Sequence, residues 1–364
     1  MTHEVAYGGV LQGRRQVLHA ALVEAIERRD ADRLGEQVEI LAHHALRGGL
    51  TAKAVTYWRQ AGTKAVARSA NREAIGFLET ALTLVADLPE TPATLSDALD
   101  IRIALGPALI ALHGAGAEEV EASYTHALEL VDRLGDPRRR FPVLWNLWFV
   151  AYGRGQYRVA QERGERLLED AKTGDDSGRL LEAHHALWAT ATAMGSPLVG
   201  AAHAERGLAL YDRERHASQA LLYGGHDPGV CALYQFAANQ WLLGYPDRSL
   251  TSVRDAQRLA AQLNHPLTTT NALFFAAWVH FQRGDHEAAA RITRQVVEIG
   301  GSHGFTKLAR RHARSAGSDC RGAGQRAGPG NTRTAARAVS GRFGVATRLL
   351  AVLVRGALPG RRLP

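Results

Sequence analysis

The stretch that decides the fold is Val55–Leu88, VTYWRQAGTKAVARSANREAIGFLETALTLVADL. A tryptophan early in the stretch, Trp58, can anchor one helix in the next, and Gly62 allows two backbones to approach closely. Ala74 and Ala81 then keep a second helix thin enough to nest against the first. The stretch therefore predicts two antiparallel helices that pack through small residues.

This succession of a large residue and then small residues over 34 positions resembles the tetratricopeptide repeat. From about Tyr57 to Phe305 the chain repeats the plan of an aromatic-rich helix, a glycine turn and an Ala/Leu-rich helix. Trp148 and Trp188 depart from it, since they stand where the repeat has a small residue. Later turn glycines recur after 40, 49 and 40 residues, which indicates longer helices or loops: Gly155, Gly195, Gly244 and Gly284.

The sequence thus predicts an all-α protein, an α-solenoid of tetratricopeptide-like helical hairpins followed by a disordered Arg/Gly/Ala-rich tail. One further helix pair, Thr94–Leu112 and Glu118–Leu134, fits the array but matches the repeat poorly. We expect three regions: a helical segment over residues 1–50, five or six hairpins over residues 51–305, and the tail over residues 306–364.

A stack of hairpins leaves a concave groove that is lined by the first helix of each pair. Such a groove, rich in aromatic residues, would suit a peptide or a helix as its ligand. In the tetratricopeptide register it would be lined by Trp145, Phe149, Tyr152, Tyr234, Trp241, Asn271, Phe274, Trp278, Phe281 and Gln282. The alternative, which we favour for most of these aromatics, is that they belong to the core.

The net charge of +8 is concentrated at one end of the chain. Residues 307–364 contain Lys307 and twelve arginines against a single acid, Asp319, so the preceding residues carry a charge of −4. A nucleic-acid partner is therefore not indicated for the repeats. With Cys231 and Cys320 as the only cysteines, a disulfide framework is excluded and a reducing, cytoplasmic location is expected. The longest apolar run, Leu349–Val354, is too short to span a bilayer.

Motifs that would indicate catalysis are missing from the sequence. There is no Gly-x4-Gly-Lys-Ser/Thr loop for nucleotide phosphates. The doublets His43-His44 and His184-His185 place their side chains about 100° apart on a helix, so neither doublet can chelate an ion by itself. His226-Asp227 could be an acid–base pair, but its segment, Leu222–Gly229, is better interpreted as an ordered connector. We predict no catalytic residue, no metal and no cofactor.

Several strings resemble the region where the ATPase module of bacterial multidomain adenylate/guanylate cyclase-like proteins passes into tetratricopeptide repeats. The resemblance covers about residues 1–305. It is carried by residues 2–7 (THEVAY), 14–19 (RRQVLH), 41–45 (LAHHA), 67–74 (ARSANREA), 141–145 (FPVLW), 222–229 (LYGGHDPG) and 241–246 (WLLGYP).

The resemblance implies a parent protein with an N-terminal class III cyclase domain, a central ATPase and this region as a C-terminal sensor array. The cyclase aspartates and the Walker motifs are absent from this sequence, so the resemblance implies a non-catalytic fragment whose partner is its own ATPase/cyclase module. It also implies that Met1 lies inside a longer reading frame.

The tail, residues 306–364, has two interpretations. Its composition of Arg, Gly, Ala and Pro is typical of out-of-frame translation of a GC-rich gene, which we favour. The alternative is a basic arm that binds nucleic acid or an anionic membrane. Arms that bind single strands usually carry aromatics to stack on bases, and here Phe343 is the only one.

Three functional hypotheses remain. The first is a protein-interaction and sensor scaffold, truncated from a cyclase-like ATPase. The second is a free-standing adaptor that binds a peptide or helix in its groove. The third is a binder of nucleic acid or membrane that acts through the tail.

Overall fold

The computed structural model describes residues 11–303, which fold into helical hairpins and contain no β-strand. The predicted all-α solenoid is confirmed over these residues. The predicted tail, residues 306–364, lies outside them. The helices are α1 (Gln12–Arg29), α2 (Val38–Arg47), α3 (Thr51–Ala67), α4 (Asn71–Ala86), α5 (Pro92–His113), α6 (Glu118–Leu134), α7 (Pro137–Gly153), α8 (Tyr157–Lys172), α9 (Ser177–Ala193), α10 (Pro197–Leu210), α11 (Arg213–His216), α12 (Pro228–Leu242), α13 (Pro246–Leu263), α14 (Pro266–Gln282) and α15 (His286–Ser302).

The described chain divides into two compact units. Unit 1 comprises residues 11–108 and 123–137, and unit 2 comprises residues 109–122 and 138–303. The boundary falls within α5 and within α6, the helix pair that the sequence predicted as Thr94–Leu112 and Glu118–Leu134. The observed helices agree with that prediction to within two residues at each end. The three predicted regions, with breaks at residues 50 and 305, are a different division and stay a prediction.

In unit 1, α3 and α4 form the hairpin that the deciding stretch predicts. Gly62 on α3 lies so close to α4 that a Cβ built on it would overlap the side chain of Leu78. Leu78, Ala74 and Ala81 are fully buried on the facing side of α4. Close packing through small residues therefore holds this hairpin together.

Unit 1 also packs α1 on α2 and α2 on α3. The Tyr57 hydroxyl donates a hydrogen bond of 2.5 Å to Glu27, whose carboxylate also accepts one of 2.7 Å from Lys53. His19 and His44 face each other with their Nδ1 atoms 2.8 Å apart. Around these polar contacts the core is mainly aliphatic, with Leu41 fully buried and Tyr57 as its aromatic member.

In unit 2, successive hairpins stack through their first helices, α9 on α12 and α12 on α14. A left-handed glycine separates the two helices in each of four hairpins, which is the conformation that glycine adopts without steric cost. The φ values of +74°, +77°, +87° and +78° belong to Gly155, Gly195, Gly244 and Gly284.

Local capping explains where several of these helices begin. Proline occupies the first position of α10, α12, α13 and α14, where its missing N–H is not needed. Asp176 and Asp285 accept backbone hydrogen bonds as N-caps of α9 and α15. These residues determine where the six helices begin.

The connector between α10 and α12, residues 211–227, is ordered, as the sequence predicts for Leu222–Gly229. It contains α11, a 3₁₀ turn at Ala217–Leu221 and two left-handed glycines, Gly224 and Gly225. This extra length accounts for the 49-residue interval between the turn glycines Gly195 and Gly244. None of the helices in the described part of the chain is both long enough and apolar enough to cross a membrane.

Candidate functional site

The residues predicted to line a groove divide by burial. Trp145, Tyr234 and Phe274 are buried in unit 2, and Trp145 has no exposed surface. In this conformation these three side chains pack in the core. Seven others are partly buried and keep some accessible surface: Phe149, Tyr152, Trp241, Asn271, Trp278, Phe281 and Gln282.

The centre of unit 2 is an aromatic cluster on α7. The rings of Trp145 and Trp148 lie 4.9 Å apart, and both indoles are fully buried. The indole N–H of Trp145 donates to the backbone oxygen of Glu182 at 2.9 Å, and that of Trp148 donates to Oγ1 of Thr190 at 3.0 Å. Because both acceptors are on α9, the tryptophans join α7 to α9 by hydrogen bonds as well as by packing.

A buried carboxyl and a buried imidazole lie beside these tryptophans on α9. Oε2 of Glu182 is 2.8 Å from Nδ1 of His185, and both side chains are almost completely buried. Burial, and then the charge of Asp227, raises the pKa of Glu182 well above its usual range. Burial lowers the pKa of His185 to about 3. Oε1 of Glu182 has no hydrogen-bond partner.

The connector closes over this cluster. Nδ2 of Asn146 donates a hydrogen bond of 2.7 Å to the backbone oxygen of Leu222. Gly224 lies against Phe149 and Trp145, and a Cβ there would sit 3.0 Å from Phe149. The connector thus packs against two of the α7 side chains that the sequence assigned to a ligand groove, Trp145 and Phe149.

His226 and Asp227 follow at the end of the connector, and both are buried. The ring of His226 packs 5.1 Å from that of His185, edge to face. Burial, and then the proximity of His185, lowers the pKa of His226 to about 3. Asp227 caps α12 by accepting from the backbone N–H of Val230 at 2.8 Å, and it accepts a further hydrogen bond of 3.0 Å from the Tyr211 hydroxyl.

Cys231, one turn into α12, completes the cluster. Its thiol is buried and contacts Tyr234, and burial raises the thiol pKa to about 12. One possible ligand atom from each of His185, His226 and Cys231 lies within 4.8 Å of the others. These three residues come from α9, the connector and α12. In the described part of the chain, these three residues form a group that could bind a metal ion.

An accessible cleft occurs elsewhere in unit 2, between α8, α9 and α10. Its volume is about 240 Å³, and its apolar wall includes Leu168, Leu187 and Met194. Val199 lies on its rim and is 51% exposed, and the neighbouring Leu198 is 71% exposed. Aliphatic side chains this exposed beside a cleft are typical of a protein contact surface.

Sequence reasoning found the hairpins but not these two features. From the sequence we asked only whether the adjacent residues His184 and His185 bind one ion together. The structure gives the two histidines separate partners. Nδ1 of His184 is 2.9 Å from Nδ1 of His203, whereas His185 faces Glu182. One signal was available: Glu182 and His185 are spaced i, i+3 on one face of a largely apolar helix.

No protein-family model matches the chain. A protein of Rhizobium meliloti (strain 1021), described as uncharacterized, is 28% identical over 310 residues, which cover 85% of this chain and 30% of the relative. The chain therefore spans less than a third of that relative's length. Among solved structures, a Rap protein complexed with Competence and Sporulation Factor has a TM-score of 0.52 at 12% identity, over 83% of this chain and 79% of that one. At this identity the likeness concerns the fold alone.

Proposed function

We propose that this chain is the protein-interaction and sensor region of a longer, adenylate cyclase-like signal-transduction ATPase, and that it performs no catalytic step of its own. The observation that carries the proposal is the accessible cleft of unit 2, with Val199 exposed on its rim and Leu198 exposed beside it. A helical-hairpin scaffold presents such side chains on rigid elements, so a protein partner can bind with little ordering cost.

Two further observations support a role within a larger protein. The chain matches less than a third of its Rhizobium meliloti relative. The strings that resemble the passage from an ATPase module into the repeats occur throughout residues 1–305. In the intact parent, the array would bias the ATPase module by contacting one of its states more favourably than another. The compartment would be reducing, in accordance with the two cysteines.

The test uses the part of the Rhizobium meliloti relative that lies outside the match as the probe, titrated with this chain by calorimetry. We expect saturable binding that weakens at least tenfold in Leu198→Asp, because a charge beside the cleft would be desolvated on contact. Glu205→Ala is the control, since Glu205 is an exposed residue of the same helix. We also expect no ATP hydrolysis and no cyclic nucleotide from the chain alone.

Absence of binding to that probe, or equal binding by Leu198→Asp, would contradict the proposal. Binding of an unrelated peptide or helix that Leu198→Asp abolishes, without binding to the probe, would favour the free-standing adaptor instead. ATP turnover by the chain alone would contradict its assignment as non-catalytic.

A further inference from the structure

We infer that unit 2 contains a buried metal site, in which His185, His226 and Cys231 bind one divalent transition-metal ion of the Zn²⁺ type. Two imidazoles and one thiolate are the donors that Zn²⁺ and similar borderline ions prefer. The site is independent of the interaction function proposed above, because its residues belong to the core and not to the accessible cleft.

The three donor side chains converge in the core of unit 2. Their ligand atoms already lie within 4.8 Å of one another. Bond lengths of about 2.0–2.3 Å around a tetrahedral Zn²⁺ place ligand atoms about 3.3–3.6 Å apart. Rotation of the three side chains would close the remaining difference. Three proteinaceous donors leave a fourth position for water or another small ligand.

The imidazole rings of His185 and His226 are oriented as metal-binding histidines commonly are. Nδ1 of His185 faces Oε2 of Glu182 at 2.8 Å, and Nδ1 of His226 faces the backbone oxygen of Gly224 at 3.4 Å. Metal-binding histidines commonly direct one nitrogen to a carboxylate or a backbone carbonyl, which fixes the ring and leaves the other nitrogen for the ion. Both rings have this arrangement, so Nε2 is the donor atom of each.

Glu182 gives a further indication of the site. Its side chain is buried next to the cluster, and Oε1 of Glu182 has no hydrogen-bond partner. A buried polar atom without a partner is costly, whereas a carboxyl group beside a metal-binding histidine is a common part of a metal site. A metal ion at the cluster would give the buried carboxyl group a role that packing does not provide.

The test measures metal in the full chain after refolding with Zn²⁺ and removal of free metal. We expect about one Zn²⁺ per chain. With Co²⁺ as the probe, we expect the intense visible bands of a tetrahedral site and a near-ultraviolet thiolate-to-cobalt charge-transfer band. Cys231→Ser should lose the charge-transfer band, and His226→Gln should weaken Co²⁺ binding at least tenfold.

Matched controls are present in the same chain. Cys320→Ser removes the other thiol, and His184→Gln removes the histidine adjacent to a proposed ligand, so both should keep the Co²⁺ spectrum. Glu182→Gln should weaken binding about 10–100-fold while the three donors remain, because it removes the carboxylate that orients His185. Far-UV circular dichroism establishes that each variant is folded.

Two results would overturn the inference. One is a wild-type chain that refolds in the presence of Zn²⁺ and retains none of it in stoichiometric amount, a result that needs no variant to fold. The other is a charge-transfer band that persists in Cys231→Ser or disappears in Cys320→Ser, which would assign the thiolate to the other cysteine. Neither result bears on binding at the rim of α10, so this test and that of the proposed function fail separately.

Discussion

The α3–α4 hairpin of unit 1 and the α7–α9–α12 core of unit 2 are held together in different ways. In the first, Gly62 and two alanines let backbones approach, and the fully buried side chains are aliphatic. In the second, large aromatics enclose a carboxyl, two imidazoles and a thiol. One architecture therefore accommodates both a purely steric interface and a polar interior. The second kind is costly unless its polar groups find partners.

The sharpest test of this contrast is to remove one large side chain from each region. Trp148→Ala deletes a fully buried indole together with its hydrogen bond to Thr190, so we expect a loss of about 3–5 kcal/mol in the free energy of unfolding. Trp58→Ala removes a partly exposed indole from unit 1 and should cost less than half as much. Urea unfolding followed by far-UV circular dichroism measures both. Equal losses would show that unit 2 does not depend more strongly on its buried tryptophan than unit 1 depends on Trp58.

A smaller effect tests the steric interface of unit 1. Gly62→Ala places a Cβ against the buried side chain of Leu78, so we expect a net loss of about 1–2 kcal/mol from overpacking. Gly76→Ala, in the other helix of the same hairpin, meets nothing within 4 Å and should stabilise by about 0.5–1 kcal/mol through helix propensity. Thermal unfolding distinguishes the two signs. Stabilisation by both substitutions would mean that α3 and α4 can separate without cost.

The smallest effect concerns the polar contact between α1 and α2 in unit 1. Burial lowers the pKa of both His19 and His44, and the nearby basic residues Arg47, His43 and Arg15 add to the effect at His19. Both rings are therefore neutral in the folded state near neutral pH, whereas in the unfolded chain they titrate near pH 6.5. The unfolded state binds more protons as the pH falls below that value, so stability is full above about pH 6.5 and declines below it.

We expect the melting temperature to be lower at about pH 5.5 than at about pH 7.5. The double variant His19→Gln, His44→Gln should reduce that difference. A difference that the double variant leaves unchanged would assign the pH dependence to other groups.

Whether a contact could be predicted from the sequence depends on how far apart its two residues lie along the chain. Gly62 and Leu78 lie in one repeat unit, so the spacing of small and large residues specifies their meeting. His185 and Cys231 lie in different hairpins, and no periodicity specifies which side chains of α9 and α12 meet. The geometry of two adjacent histidines on one helix, from which the sequence prediction was made, does not apply to a histidine that meets a distant residue.

The predicted groove illustrates the same limit. The repeat register places Trp145 on the first helix of its hairpin, which it occupies, and on the surface of the groove, whereas its side chain is fully buried. It is buried by α9, where its indole N–H binds the backbone oxygen of Glu182, and by the connector, with Gly224 against its ring. The length of that connector was visible in the sequence as the longer interval between turn glycines. The path that the connector takes was not, because it depends on long-range contacts such as the hydrogen bond from Asn146 to a backbone oxygen 76 residues away.

That hydrogen bond also constrains how the array can evolve. Repeat proteins gain and lose hairpins by recombination, because each hairpin normally contacts only its neighbours. Here Asn146 on α7 binds the connector that precedes α12, so the tie extends past the whole α9–α10 hairpin. A deletion of α9–α10 would remove both indole acceptors, Glu182 and Thr190, and change the register of the connector. We therefore expect α7 to α12 to be inherited as one block in descendants of this chain, while hairpins on either side are duplicated or lost.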